Sequence, residues 1–387
     1  MTSPIPSILV PSPASPVVLS PTAKAPQPAG SPYTVAVRFA LTALLLTGYL
    51  AFHAKIIGLF SLVIQSLTGG EPTPATPRVI AVTLLGVLLV TVWWRLIKSD
   101  ARFQAPILIT YILVLGDISF GILENHHSTW LEWLTGGRVT SYSPTFIAIL
   151  ATLAVELILA RFITGKWPHL ASAYISGISV GILIKSPELW PFVLCGLISI
   201  TSKYVLRVGG RHIWNPSNFG VTMMLFLAPE SVASLSVQSG NEVWPVLLIW
   251  VLGSLILYRL GLLHIPLVFL AAFIPLAFVR SAVTGNPWQA EVGPMTSPMF
   301  QLFIFFMITD PKTITRTFRR QCLVAVVIAI VESVLRLGLR DIYSLYHALF
   351  IVGPIANLIE IWWTARQKAA VAMSGSAVVT PAGLSGR

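Results

Sequence analysis

The sequence predicts an all-α protein that crosses a lipid bilayer many times. Of its 387 residues, 55% are hydrophobic and only 10% are charged, against about a quarter charged in an ordinary globular domain. Fourteen acids and 25 bases are too few to cover a soluble surface of this size, and the mean hydropathy is +0.81. From Tyr33 onward, apolar runs near the ~20 residues that span a bilayer alternate with short polar breaks. These runs are too long and too uniformly apolar for barrel strands, and backbone in lipid must satisfy its own hydrogen bonds, so they are read as helices.

Residues 1–33 hold nine prolines among Ser, Ala and Val, without the uninterrupted apolar core of a signal peptide, and read as a disordered tail. Apolar runs follow at 36–66 (bent near His53 and Lys55), 79–97, 105–122, 144–163, 172–186 and 189–205. Six more lie at 215–229, 243–258, 264–284, 295–309, 321–338 and 344–364. The runs 172–186 and 215–229 are short and punctuated by Gly or Pro, so they fit half-helices as well as full crossings, and the count is about 10–12 spans. Short interrupted segments in both halves of a chain are the mark of inverted repeats around a midplane site. The chain divides into N-terminal transmembrane helices (34–166), a second transmembrane core (167–365) and a tail of small residues (366–387).

The net charge of +11 would point to nucleic acid in a soluble protein. In a membrane protein Lys and Arg gather in cytoplasmic loops. If the N-terminus is cytoplasmic, 18 of the 25 bases fall on the inside, among them Lys98, Arg161, Lys203, Arg211, Lys312 and Arg320. Both termini are therefore predicted cytoplasmic, in a multi-pass protein of the inner (plasma) membrane whose partner is the bilayer and not nucleic acid. Tryptophans at run ends, such as Trp93, Trp94, Trp130, Trp362 and Trp363, form the interfacial belt. No P-loop, GxSxG elbow or HExxH occurs, so an ATPase, serine hydrolase or zinc protease has no support. Cys195 and Cys322 are read as structural, and the adjacent His126 and His127 lack a spaced third ligand, so no metal site is expected.

Two stretches carry polar groups at the ends of apolar runs. In Lys203–Gly220, bases and a Gly pair form a turn, after which Asn215, Pro216 and Asn218 open an apolar segment. Proline suits a first helical turn and asparagine caps exposed amides. A helix N-terminus there would attract a phosphate or other anion, strengthened by Lys203 and Arg211, although a capped helix start with basic flanks explains the same residues. In Phe305–Arg320, Asp310 before Pro311 ends a run, and the plain reading pairs Asp310 with Lys312. The functional reading has Thr309 and Asp310 facing Asn215 and Asn218 from the opposite half, as a polar pair of broken helices.

With SAYISGISVGILI (172–184), NPSNFG (215–220) and FFMITDPKT (305–313) in this order, the chain from about 172 to 363 resembles the NqrB/RnfD family. These are membrane subunits of the sodium-pumping quinone reductase and of Rnf electron transport complexes. The stretch from Ser202 to Gly220 is closer still to the stand-alone UnbU-like proteins of enediyne biosynthesis clusters. The resemblance implies two inverted helical repeats similar to urea transporters, flavin-mediated electron transfer and other electron-transport subunits as partners. In the family, FMN is carried covalently on a threonine of a Ser-Gly-Ala-Thr motif in an outside loop. Here that loop is 229–244, where Ser239 and Gly240 are followed by Asn241 and Glu242, so no acceptor threonine is present. This argues against covalent FMN and leaves noncovalent FMN or riboflavin, with Asn215, Asn218, Thr309, Asp310, Lys203 and Arg211 as the implied cofactor-binding set.

Ionisable residues inside a membrane are functional candidates by default. Asp117 has no near base and is the candidate ion or proton relay; Glu156 would pair with Arg161, and Glu332 with Arg336 four residues on. Two functions lead, beside a membrane scaffold for a biosynthetic complex. One is electron transport coupled to ion or solute movement, in an ion-translocating oxidoreductase; the other is a non-redox transporter or channel for a small solute or biosynthetic product.

Overall fold

The computed structural model describes residues 126–137, 141–233 and 243–376, together with scattered positions between 44 and 114. The 1–33 tail, Asp117, the segment 234–242 with Ser239 and Gly240, and most of the first three predicted runs lie outside the described residues. What is described is all-α apart from two two-residue hairpins, β1 (His126–His127) with β2 (Ser141–Tyr142) and β3 (Arg207–Val208) with β4 (Arg211–His212).

The helices are α1 (Thr129–Thr135), α2 (Pro144–Leu159, continued by a π turn to Thr164), α3 (Ala171–Leu183), α4 (Trp190–Val205) and α5 (Pro216–Leu227). They continue with α6 (Val243–Leu260), α7 (His264–Thr284), α8 (Trp288–Val292), α9 (Pro298–Leu302), α10 (Phe318–Leu339) and α11 (Ser344–Ser376). Among the described residues four helices are long and apolar enough to cross a membrane: Pro144–Thr164, His264–Thr284, Phe318–Leu339 and Ser344–Ala369. Helix α10 shows why lipid is the solvent. Leu323, Ile330 and Val334 point outward and are exposed, whereas Glu332 and Ser333 are buried, the reverse of a soluble helix. The protein is an integral membrane protein.

Among the described residues, α3 and α5 are two of the helices that stop short of a crossing. At 13 and 12 residues, α3 and α5 are roughly 18–20 Å long, against about 30 Å of hydrocarbon. The run 295–309, predicted as one apolar segment, is broken: a 3-10 turn (Gly293–Thr296) precedes α9, and a π turn (Phe303–Met307) follows it. Pro298, which lacks the amide a continuous helix needs, separates α9 from the 3-10 turn, whereas the π turn continues α9. The last helix continues to Ser376, past the predicted end of the core at 365, so 366–376 is helical.

Helix α2 packs on α3 and α4, α4 on α5, α7 on α10, and α10 on α11, while α5 also touches α11. Close backbone approach explains the glycines of the 172–184 stretch. A Cβ on Gly177 would lie 2.6 Å from Ile149 Cα, and one on Gly181 would lie 2.4 Å from Thr145 Cα. Those glycines let α3 press against α2 and mark packing. Gly220 does the same for α5, where a Cβ would lie 2.0 Å from Ser199 Oγ and 2.8 Å from the Cys195 carbonyl.

Candidate functional site

The two predicted polar stretches meet. Asn215 is the N-cap of α5: its Oδ1 accepts the Asn218 amide at 3.0 Å, with Pro216 in the first turn. Its Nδ2 points across to the other stretch, donating to Asp310 Oδ2 at 3.4 Å and toward the Met307 carbonyl at 3.5 Å. Asp310 in turn holds its own turn, accepting the Lys312 amide and the Thr313 hydroxyl, each at 3.1 Å. The expected Asp310–Lys312 partnership is thus made through the lysine's backbone. Thr309 is buried and its hydroxyl donates to the Phe305 carbonyl one turn back.

Beside this junction lies a cavity of about 580 Å³, walled by α3, the end of α4, the start of α5, the end of α6 and the 305–312 segment. Lys203, Asn215, Thr309 and Asp310 line it. So do Ser172, Ser176 and Ser179, spaced to share one face of α3. Apart from His169, His212, Ser217 and Lys312, the remaining wall is apolar, including Ile256, Leu257, Phe305 and Phe306. A neighbouring recess of about 340 Å³ shares His212, Pro311 and Lys312 with it and adds Arg211 and Arg316. The cavity therefore has a basic mouth.

Three predicted site residues have other duties. Lys203 is buried with its Nζ 2.6 Å from Glu156 Oε2, and Tyr204 OH donates to Glu156 Oε1 at 3.0 Å. This replaces the expected Glu156–Arg161 pair: Arg161 is exposed at the end of α2, while Glu156 faces α4. Arg211 stands in the mouth and not in the cavity; its Nη2 donates to the carbonyls of Ile314 (2.9 Å) and Lys312 (3.4 Å), so it shapes the 312–314 turn. Asn218 points away, donating to the Tyr346 carbonyl at 3.0 Å and bordering a separate space of about 20 Å³, room for about one water.

The helix N-terminus is also less open to an anion than the sequence suggests. Pro216 has no amide, and those of Asn218 and Phe219 bond to Asn215, so Ser217, on the cavity wall, is the remaining first-turn donor.

His212, a site residue that sequence reasoning passed over, sits where mouth and cavity join. The Lys203 carbonyl lies 3.0 Å from its Nδ1 and can only accept, so Nδ1 carries the proton and Nε2 is left as an acceptor. Burial, then the charges of Lys312, Arg207 and Lys203, lower its pKa against the smaller pull of Asp310, and the ring is neutral at pH 7. Arg211 is lowered by burial and by Arg316.

The loop carrying Arg211 and His212 is fastened to α11. Trp214 Nε1 donates to the Phe350 carbonyl at 2.9 Å, the acceptor that Pro354 four residues later cannot use. Asn357 Nδ2 donates to the carbonyls of His212 (2.6 Å) and Ile213 (3.3 Å). Glu360 pairs with Arg320 at 2.5 Å.

At the other end of the bundle Arg280, fully buried, donates to Glu291 Oε2 (3.0 Å), Glu332 Oε2 (3.2 Å) and Ser333 Oγ (2.6 Å). Glu332 also pairs with Arg336 at 2.7 Å, the partner expected from the sequence. No model of a known protein family matches the chain, and no curated protein matches it.

Proposed function

We propose that the protein binds an amphipathic organic anion of flavin size in the 580 Å³ cavity and serves electron transport in the manner of an NqrB/RnfD-type subunit. In this reading noncovalent FMN or riboflavin is the occupant, the cavity mouth faces the cytoplasm, and partner subunits supply and remove electrons. The observation that carries it is the cavity itself, a mainly apolar chamber of ligand size with convergent polar groups at Asn215, Thr309 and Asp310 and a basic mouth. Apolar walls suit an aromatic ring system. Arg211, Lys312 and Arg316 suit a phosphate or carboxylate outside it.

The test is the absorption spectrum of detergent-purified protein from cells replete in flavin, repeated on supernatant and pellet after acid precipitation. A flavin band released into the supernatant is expected. Arg211→Ala should lower flavin retention without changing membrane insertion, because it loosens the turn bearing Lys312 and removes a mouth charge. Unchanged flavin content in that variant refutes the assigned role.

A second reading is non-redox transport of a small anionic solute. It is favoured by Asn241 and Glu242 standing after Ser239 and Gly240, where the family has its flavin-acceptor threonine. Absence of any flavin band, with uptake of an organic anion by protein-containing vesicles, would decide for it.

A further inference from the structure

The reading of the cavity as an anion site meets a difficulty in Lys203. This lysine lies on the cavity wall, yet its charge is already matched by Glu156. Both side chains are dry, each residue only 5% exposed, and the carboxylate's other oxygen is held by Tyr204. Lys203 Nζ gives one of its three N–H donors to Glu156, so a ligand anion that takes the full charge of the ammonium, and does not merely share a spare N–H, displaces Glu156. A buried carboxylate that loses its cation is strongly disfavoured as an anion and takes a proton instead.

Resting on that anion-site reading, we propose that Lys203 and Glu156 form an exchange pair: an anionic oxygen of the ligand takes over the Lys203 ammonium, and Glu156 acquires one proton. No covalent bond to carbon changes. The hydrogen bond from Nζ to Glu156 Oε2 is replaced by one from Nζ to the ligand, and the proton comes from solvent and ends on the carboxyl group. Binding of the anion and uptake of a proton are one event, which for a transported ligand is the basis of proton-coupled movement.

The charged and titratable groups around the pair are Lys203 and Tyr204 on α4, Arg207 and His212 of the hairpin, Asp310 and Lys312 of the following turn, and His169 before α3. Histidine ordinarily titrates near 6.5, and His212 lies lower still. Measurements above pH 7 keep His212 neutral, and the Glu156→Gln variant then separates the carboxylate from Lys203.

The probe is FMN, whose phosphate has a second pKa near 6 and is fully charged in this range. Its affinity for the detergent-purified full chain is read from fluorescence quenching at constant ionic strength. Uptake of one proton per ligand should weaken binding about tenfold between pH 7 and pH 8. Glu156→Gln, which keeps the shape and a hydrogen-bond acceptor for Lys203, should bind FMN with no pH slope. Calorimetry of the unaltered chain in two buffers of different ionisation enthalpy gives the proton count independently, expected near one per FMN. Affinity independent of pH, with no proton uptake, overturns the exchange pair while leaving the cavity as an anion site. A slope that persists in Glu156→Gln removes Glu156 from the role. No FMN binding at any pH overturns both the cavity reading and this one.

Discussion

Replacing Arg280 with Met should be among the most damaging single changes in this protein. The guanidinium is 0% exposed, and it meets Glu291 at 3.0 Å, Glu332 at 3.2 Å and Ser333 at 2.6 Å. A further nitrogen donates to the Glu291 carbonyl at 3.1 Å, and the Phe273 ring lies 4.7 Å below the charge. Methionine fills much of the same volume, so the loss is electrostatic more than a cavity. Glu332 would keep Arg336 and the Ser344 hydroxyl on Oε1, but Glu291 would be left without its cation. Breaking a buried pair from one side costs about 3–5 kcal/mol, whereas Arg336→Met, which removes a partly exposed guanidinium and leaves Glu332 paired with Arg280, should cost less. Cys195, 0% exposed, is a natural reporter. In a Cys322→Ser background, a thiol-reactive dye in detergent signals unfolding as temperature rises. Arg280→Met within about 1 kcal/mol of the parent, or no worse than Arg336→Met, would show that the network is not what holds these helices together.

Further expectations follow from the packing and the mouth. Gly181→Ala should destabilise by about 1–3 kcal/mol, because its Cβ would meet the α2 backbone at Thr145; the same dye assay checks it, and an unchanged midpoint refutes the close approach. Asn215→Ala should cost about 1 kcal/mol through the lost cap, with weaker flavin retention because Asp310 loses a donor. For His212 the folded-state pKa lies below the ordinary value of about 6.5. The folded chain then binds fewer protons than the unfolded one between the two values, so stability is full above about pH 6.5 and falls as the pH drops below it. His212→Gln should flatten that acid limb, measured as the tryptophan-fluorescence unfolding midpoint between pH 7 and pH 5.5.

The sequence made the membrane class plain, because composition and run length do not depend on how the chain packs. The meeting of Asn215 with Asp310 was readable too: each polar group stands at a proline-marked end of an apolar run. The Lys203–Glu156 pair was not. Its members are 47 residues apart, and within the sequence Arg161 is the nearer base. Arg280 escaped notice for the same reason, with partners 11 and 52 residues away, although an arginine within FIPLAFVRSAVT is conspicuous on dielectric grounds. The serine face of α3 was present in the spacing of 172, 176 and 179. Its meaning needed a wall opposite, supplied by the 305–312 segment.

The fastening of the mouth loop to the last helix makes that helix a lever. Trp214 takes the carbonyl freed by Pro354, and Asn357, less than a turn beyond the proline, grips the carbonyls of His212 and Ile213. The loop bearing Arg211 and His212 thus takes its position from α11 as well as from the strands it joins. A partner that seized the extension of α11 toward Ser376 and turned it would move the charges guarding the cavity without touching them. Docking at a distance and access to the chamber would then be joined through one helix.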